Sequence, residues 1–236
     1  MPTIRFDINA PQTTKTAYFA HETATIDPGS VIGSGTKIWH YSHIMPTSRL
    51  GKDCRIGQNV YIAEGVTIGD RVSIQNNVSV YRGVSIDDDV FVGPNVCFTN
   101  VRYPRAFISR KEEYESTRLG RGCSLGANTT IRCGVSIGSF AMVGAGSLLV
   151  KSVADYALVT GHPATQIGWV SRRGCPLKPC LLPVAAIDTS TATVVRTPGK
   201  SGQSGAPLYL SCPESGDRFV EQEGHLYSVQ DGGIPR

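Results

Sequence analysis

No stretch of eighteen apolar residues occurs in the 236-residue chain, which argues against a helical membrane span. Residues 1–15 (MPTIRFDINAPQTTK) lack the apolar centre of an export signal. Runs of basic residues are also missing: 23 Lys and Arg against 19 Asp and Glu leave a net charge of +4, spread along the chain. That argues against a nucleic-acid binder and suits an anionic small ligand. Aromatic residues make up only 8%. The seven cysteines are an odd number, and Cys54, Cys97, Cys123 and Cys133 fall inside the repeat described next. Reduced, buried thiols in a cytoplasmic protein are expected.

Neither helical nor strand periodicity organises the apolar residues. An aliphatic residue instead recurs every sixth position at 26, 32, 38, 44, 50, 56, 62, 68, 74, 80, 86 and 92, and Phe98 follows in step. The period resumes at Leu119, Leu125, Ile131, Ile137, Val143 and Leu149. A hexapeptide period marks a β-helix, whose coils bury their residues only against neighbouring coils. The fifth position of each hexad is small or β-branched, as in Thr36, Cys54, Val78 and Cys123, and suits a second inward site. The fourth is Gly, Asn or Asp in thirteen of eighteen hexads, so the chain turns a corner there. The expectation is an all-β parallel β-helix of about six coils over residues 19–170, preceded by a lead over 1–18. One external loop interrupts it at 100–118, and a small, irregular C-terminal extension spans 171–236.

Residues explained by this architecture carry little functional information. Asn59, Asn77 and Asn95 lie eighteen apart but occupy corners, so they read as structural. The third hexad position has no such duty. With eighteen residues per coil, Glu64, Arg82 and Asn100 align along one prism edge, beside Ala63, Tyr81 and Thr99. Asn100 is also where the arginine-rich loop departs. A carboxylate, a guanidinium, a phenol and an amide thus meet under a basic loop. A second edge stacks His40, Gln58 and Asn76, with His43 nearby. Only His21 joins that histidine pair, which disfavours a metal site.

Several segments then resemble one family: 74–81 (IQNNVSVY), 88–93 (DDVFVG), 98–101 (FTNV), Pro104-Arg105, Arg110-Lys111, 126–128, Cys133-Gly134 and 157–169 (ALVTGHPATQIGW). They are similar to the bacterial UDP-2-acetamido-3-amino-2,3-dideoxy-glucuronate N-acetyltransferases, which supply surface polysaccharide precursors. The resemblance implies a left-handed, three-sided β-helix and a homotrimer. It also implies acetyl-CoA as co-substrate, bound in clefts between subunits, a UDP-amino sugar as acceptor, and Asn100 in the active site. His40 and His43 from a neighbouring subunit are rival bases. Substrate contacts are assigned to Glu64, Asn76, Tyr81, Arg82, Thr99, Arg105, Arg110 and Lys111, the cations because guanidinium pairs well with phosphate and carboxylate. By the same analogy Gly144, Ala145 and Lys151 meet the pantetheine and phosphates, and His162 and Pro163 lie near the adenine.

The extension resembles a decayed zinc ribbon, with Ser171, Arg173 and Ser215 where cysteines would stand and Cys212 retained. No metal is therefore expected. Two further readings stay open: a non-catalytic trimeric β-helix that binds a nucleotide sugar, and a carbonic-anhydrase-like lyase.

Overall fold

The computed structural model describes residues 18–180, 193–195, 208–222 and 225–229. Hexads fold into two-residue strands such as Lys37–Ile38, His43–Ile44 and Arg49–Leu50, with the aliphatic residue buried. Every third strand is a neighbour, which distributes them over three parallel sheets. Lys37 pairs with Arg55 and Ser73 with Phe91, an eighteen-residue register. Across the loop, Phe91 pairs with Ser124 and Cys97 with Thr130, thirty-three apart, so the excursion adds fifteen residues without breaking the stack.

The expectation of six coils is too low. One face starts at Phe19–Ala20 and ends at Ala157–Gly161, which pairs in parallel with Met142–Val143. That face carries eight parallel rungs, so the helix makes about eight turns. The hydrophobic period undercounts because its first rung has Ala20 inside and its last falls out of step, Val159 pairing with Val143 only sixteen residues before it. At about 4.8 Å per rung the column is roughly 35 Å tall. These features agree with the left-handed form implied by the resemblance.

The corners are more uniform than composition indicates. Tyr41, Thr47, Arg71 and Phe140 all have φ between 57° and 61°, like the Asn and Asp corners. The coil imposes the left-handed conformation on whichever residue falls there. After glycine, Asn and Asp meet it at least cost. The Asn residues also form a ladder, with Asn59 Nδ2 donating to Asn77 Oδ1 and Asn77 Nδ2 to Asn95 Oδ1, both at 3.1 Å. Asn77→Ala should therefore cost about 1–2 kcal/mol in denaturant unfolding. A neutral result would mean the corner is not strained.

Inward hydroxyls are satisfied by the coil backbone: Thr36 Oγ1 donates to Gly51 O at 2.8 Å and Ser42 Oγ to Gly57 O at 2.7 Å. The Cys123 thiol is pushed up to about 12, chiefly by burial, and stays protonated.

The last rung leads into a hairpin, Ala157–Gly161 with Ala164–Trp169. The extension is more regular than expected. Lys178–Pro179, Leu208–Ser211, Arg218–Gln222, His225–Val229 and Thr193–Val195 form an antiparallel sheet. Its buried Leu210, Phe219 and Leu226 join the core that contains Trp169. The expected N-terminal lead, save residue 18, lies outside the described residues, as does the 184–206 part of the expected extension, save 193–195.

Candidate active site

The helix is breached at Asn100, where the chain leaves the coil after strand Cys97–Phe98. The neck is closed by the Glu115 N–H, which donates to Asn100 O at 3.2 Å, and by the Thr117 N–H, which donates to Gly83 O at 2.9 Å. The strand Thr117–Leu119 then resumes the coil, two residues inside the expected loop. A short 3-10 turn, Lys111–Glu113, carries Lys111 and Tyr114 back over the coil edge.

The result is a pocket of about 270 Å³ lined by Met45, Tyr61, Ala63, Glu64, Tyr81, Arg82, Asn100, Lys111 and Tyr114. Glu64, Tyr81, Arg82, Asn100 and Lys111 were singled out from the sequence, and the structure brings them together. Arg82 Nη1 lies 3.2 Å from Glu64 Oε1. Both side chains are exposed, so this pair contributes little to stability and is free to exchange for a ligand. Among the described residues the Asn100 side chain makes no hydrogen bond, and the residue is half-buried.

Met45, Tyr61 and Tyr114 escaped the sequence reading. Tyr61 precedes Ile62 on its strand, in an outward position the hexad leaves free. Its ring lies 6.3 Å from that of Tyr81 and 5.9 Å from that of His43. An aromatic residue one rung below another was the available signal. Burial, aided by the nearby Glu64 carboxylate, pushes the Tyr61 phenol above its ordinary range. It therefore stays a donor, and it meets Met45 Sδ at 2.7 Å. Tyr114 sits in the aperiodic loop, where spacing is silent.

Other candidates stand apart from the pocket lining. Asn76 is occupied by the scaffold, its Oδ1 accepting the Gln58 N–H at 2.9 Å. Asp70, Asp88 and Asp155 cap backbone N–H groups of the adjacent coil in the same way. The Thr99 hydroxyl bridges coils, donating to Ile131 O at 3.2 Å and accepting from the Cys133 N–H at 2.9 Å. Arg110 pairs with Glu113 at 2.6 Å, and Arg105 is exposed. His40 stacks on His21 with centroids 3.4 Å apart, and His43 Nε2 lies 2.9 Å from Asp27 Oδ2. Gly144, Ala145, Lys151, His162 and Pro163 lie on the last coils and the terminal hairpin, with Ala145, Lys151, His162 and Pro163 exposed.

In the extension, two turns face each other. Cys212 Sγ lies 3.3 Å from Ser171 Oγ, the Arg173 N–H donates to Ser171 Oγ and the Ser215 N–H to Cys212 Sγ. Burial raises the Cys212 thiol, but hydrogen bonds from Ser171, Ser215 and the backbone outweigh it and bring the thiol down to about 7. Among the described residues, no three His, Cys, Asp or Glu side chains are grouped to hold a metal ion. No helix among them is long and apolar enough to cross a membrane.

A family profile described as "Bacterial transferase hexapeptide (six repeats)" matches residues 29–64, and one described as "Hexapeptide repeat of succinyl-transferase" matches 49–82 and 116–151. The chain belongs to these hexapeptide-repeat transferases. It is 44% identical over 160 residues, 68% of its length, to the dTDP-3-amino-3,6-dideoxy-alpha-D-galactopyranose 3-N-acetyltransferase of Aneurinibacillus thermoaerophilus, and covers 82% of that protein. It is also 46% identical over 55 residues, 23% of its length, to serine acetyltransferase 4 of Arabidopsis thaliana, and there spans only 16% of the relative. Among solved structures, a hexapeptide transferase family protein from Anaplasma phagocytophilum aligns over 64% of this chain and 81% of that one, with 17% identity and a TM-score of 0.42.

Proposed function

We propose that the protein transfers an acetyl group from acetyl-CoA to the 3-amino group of a nucleotide-linked amino sugar, for surface polysaccharide precursors. The observation that carries this reading is the pocket where the coil is breached. It gathers Asn100 with Glu64, Arg82 and Lys111 in a chain 44% identical to a nucleotide-sugar 3-N-acetyltransferase. A homotrimer in the cytoplasm, with sites completed between subunits, accords with the resemblance.

The chemistry needs little from the protein besides alignment, worth about 7–11 kcal/mol at best. The lone pair of a neutral amine attacks the thioester carbonyl carbon and drives its π electrons onto oxygen. The oxyanion collapses, the C–S bond breaks and the CoA thiolate departs with the bonding pair. It then accepts the proton from nitrogen, directly or through water. An amide side chain cannot take that proton, so Asn100 orients the amine through its Oδ1. His43, held by Asp27, is the rival base from a neighbouring subunit.

Two acceptors compete. The relative's acceptor is by its name a 3,6-dideoxy sugar, with no carboxylate at C6. UDP-2-acetamido-3-amino-2,3-dideoxy-glucuronate carries one, and two cations, Arg82 and Lys111, line the pocket against a single carboxylate, Glu64. This charge balance favours the uronate. Thiol release from acetyl-CoA should be measured with UDP- and dTDP-linked 3-amino sugars. The uronate should be the better substrate, and Lys111→Ala should raise its KM about tenfold while barely changing that of the 6-deoxy sugar. Equal effects on both would assign Lys111 to a shared group such as the diphosphate, and preference for the 6-deoxy sugar would overturn the uronate. Tight binding without thiol release would make the protein a non-catalytic binder.

A further inference from the structure

A buried donor left without an acceptor costs about 1–3 kcal/mol, so it often marks a place that a ligand completes. Among the described residues three buried side-chain atoms have no partner: Arg110 Nε, Thr117 Oγ1 and Arg132 Nε. Arg110 has Glu113 on another of its nitrogens. Thr117 is a core residue of its strand. Arg132 differs, because it also enters no ion pair among the described residues. Glu115, packed near the adjoining Gly134, pairs with Arg102 at 3.6 Å instead.

The register fixes where Arg132 stands. Phe98 pairs with Ile131, and the Thr99 N–H donates to Ile131 O at 3.1 Å, so Arg132 lies one rung above Thr99. Ile131 pairs in turn with Leu149, which puts Lys151 one rung above Cys133. From bottom to top this edge reads Glu64, Arg82, Asn100, Cys133 and Lys151, with Arg132 beside Cys133. Below Asn100 both signs of charge are present. Above it are two cations with no ion-pair partner among the described residues.

An acceptor sugar that fills the pocket leaves the upward course of the edge for the acyl donor. Rungs are about 4.8 Å apart. With bonds of about 1.5 Å, the first amide carbonyl of a pantetheine arm lies roughly 5 Å from the thioester sulfur, and the second roughly 10 Å. Those lengths match one and two rungs above Asn100. We propose that Arg132 is a positioning residue for the acyl donor: its guanidinium donates to the pantetheine amide carbonyl nearest the thioester and sets the height of the thioester beside Asn100. This rests on the acetyltransferase reading and adds to it a residue that recognises the donor.

Three donors test it: acetyl-CoA, S-acetyl-N-acetylcysteamine, which keeps only that amide, and S-ethyl thioacetate, which has none. The wild-type enzyme should use the cysteamine thioester about tenfold better than the ethyl thioester. Arg132→Leu should erase that preference, raise the KM for acetyl-CoA about tenfold, and leave the ethyl thioester rate and the sugar KM unchanged. Arg132→Gln, which keeps an N–H donor, should recover part of the loss. Calorimetry with CoA alone should show the same weakening without any acceptor. The proposal is overturned if Arg132→Leu keeps the preference, slows all three donors equally, or shifts the sugar KM instead. Arg132-dependent CoA binding without acetylation of any amino sugar would sink the acceptor reading and leave the role of Arg132 standing.

Discussion

Asn100→Ala should lower kcat about 100-fold, a loss of about 2.7 kcal/mol of transition-state stabilisation, while the fold survives. In the proposed mechanism the amide holds the amine on line with the thioester and has no other task. Among the described residues its side chain enters no hydrogen bond, whereas the loop neck depends on its backbone carbonyl, which alanine retains. The melting temperature should therefore move by only a few degrees. Asn100→Asp separates orientation from charge: it keeps an acceptor oxygen, but its negative charge favours the ammonium form, which has no lone pair to attack with. It should be slow at pH 7 and partly recover as pH rises and the amine deprotonates. Steady-state thiol release across pH measures both. Alanine activity within a few-fold of wild type would remove Asn100 from the chemistry, and His43 with its Asp27 partner would become the leading candidate.

Much of this site was legible because the scaffold is periodic. Once the hexad accounts for Ile62, Val80 and Phe98, departures from it stand out, and Tyr81, Arg82 and Asn100 depart from it together. Asn76 misled for a related reason. A polar side chain in the third position also arises when it caps the backbone of the next coil, as its bond from the Gln58 N–H shows, and spacing alone does not separate these duties. Tyr114 and Met45 were not legible, since the first depends on how the loop folds back and the second on its reach to the Tyr61 hydroxyl. The coil number was misjudged because Ala20 stands where the first rung would carry an aliphatic residue, and because the last rung, Val159 on Val143, is sixteen residues on instead of eighteen. Arg132 was hidden as well: a guanidinium at an edge reads as a solvated charge until its Nε proves buried.

The largest effect on folding is expected at Gly51, where the stacking of coils leaves no room for a side chain. The Gly51 N–H donates to Ile68 O at 2.8 Å, and the Gly33 and Gly69 N–H groups make the same bond one rung away. A Cβ on Gly51 would lie 2.5 Å from the carbonyl carbon and oxygen of Gly69 and against the Asp70 carboxylate that caps the Lys52 N–H. Backbone cannot swing aside as a side chain can, so the rungs must part and ladder bonds must lengthen. Gly51→Val should cost at least about 3 kcal/mol, the upper range for overpacking, with lost hydrogen bonds added. Gly65 is the control. It turns a corner with φ 71° and its Cβ would meet nothing within 4 Å, so Gly65→Ala bears only the left-handed strain of about 1–2 kcal/mol. Equal unfolding midpoints for the two variants would show that close approach between coils does not limit the stack. A midpoint markedly lower for Gly51→Val would show that it does, and activity should fall with it, since Glu64 and Arg82 stand on the coils that follow in the same helix.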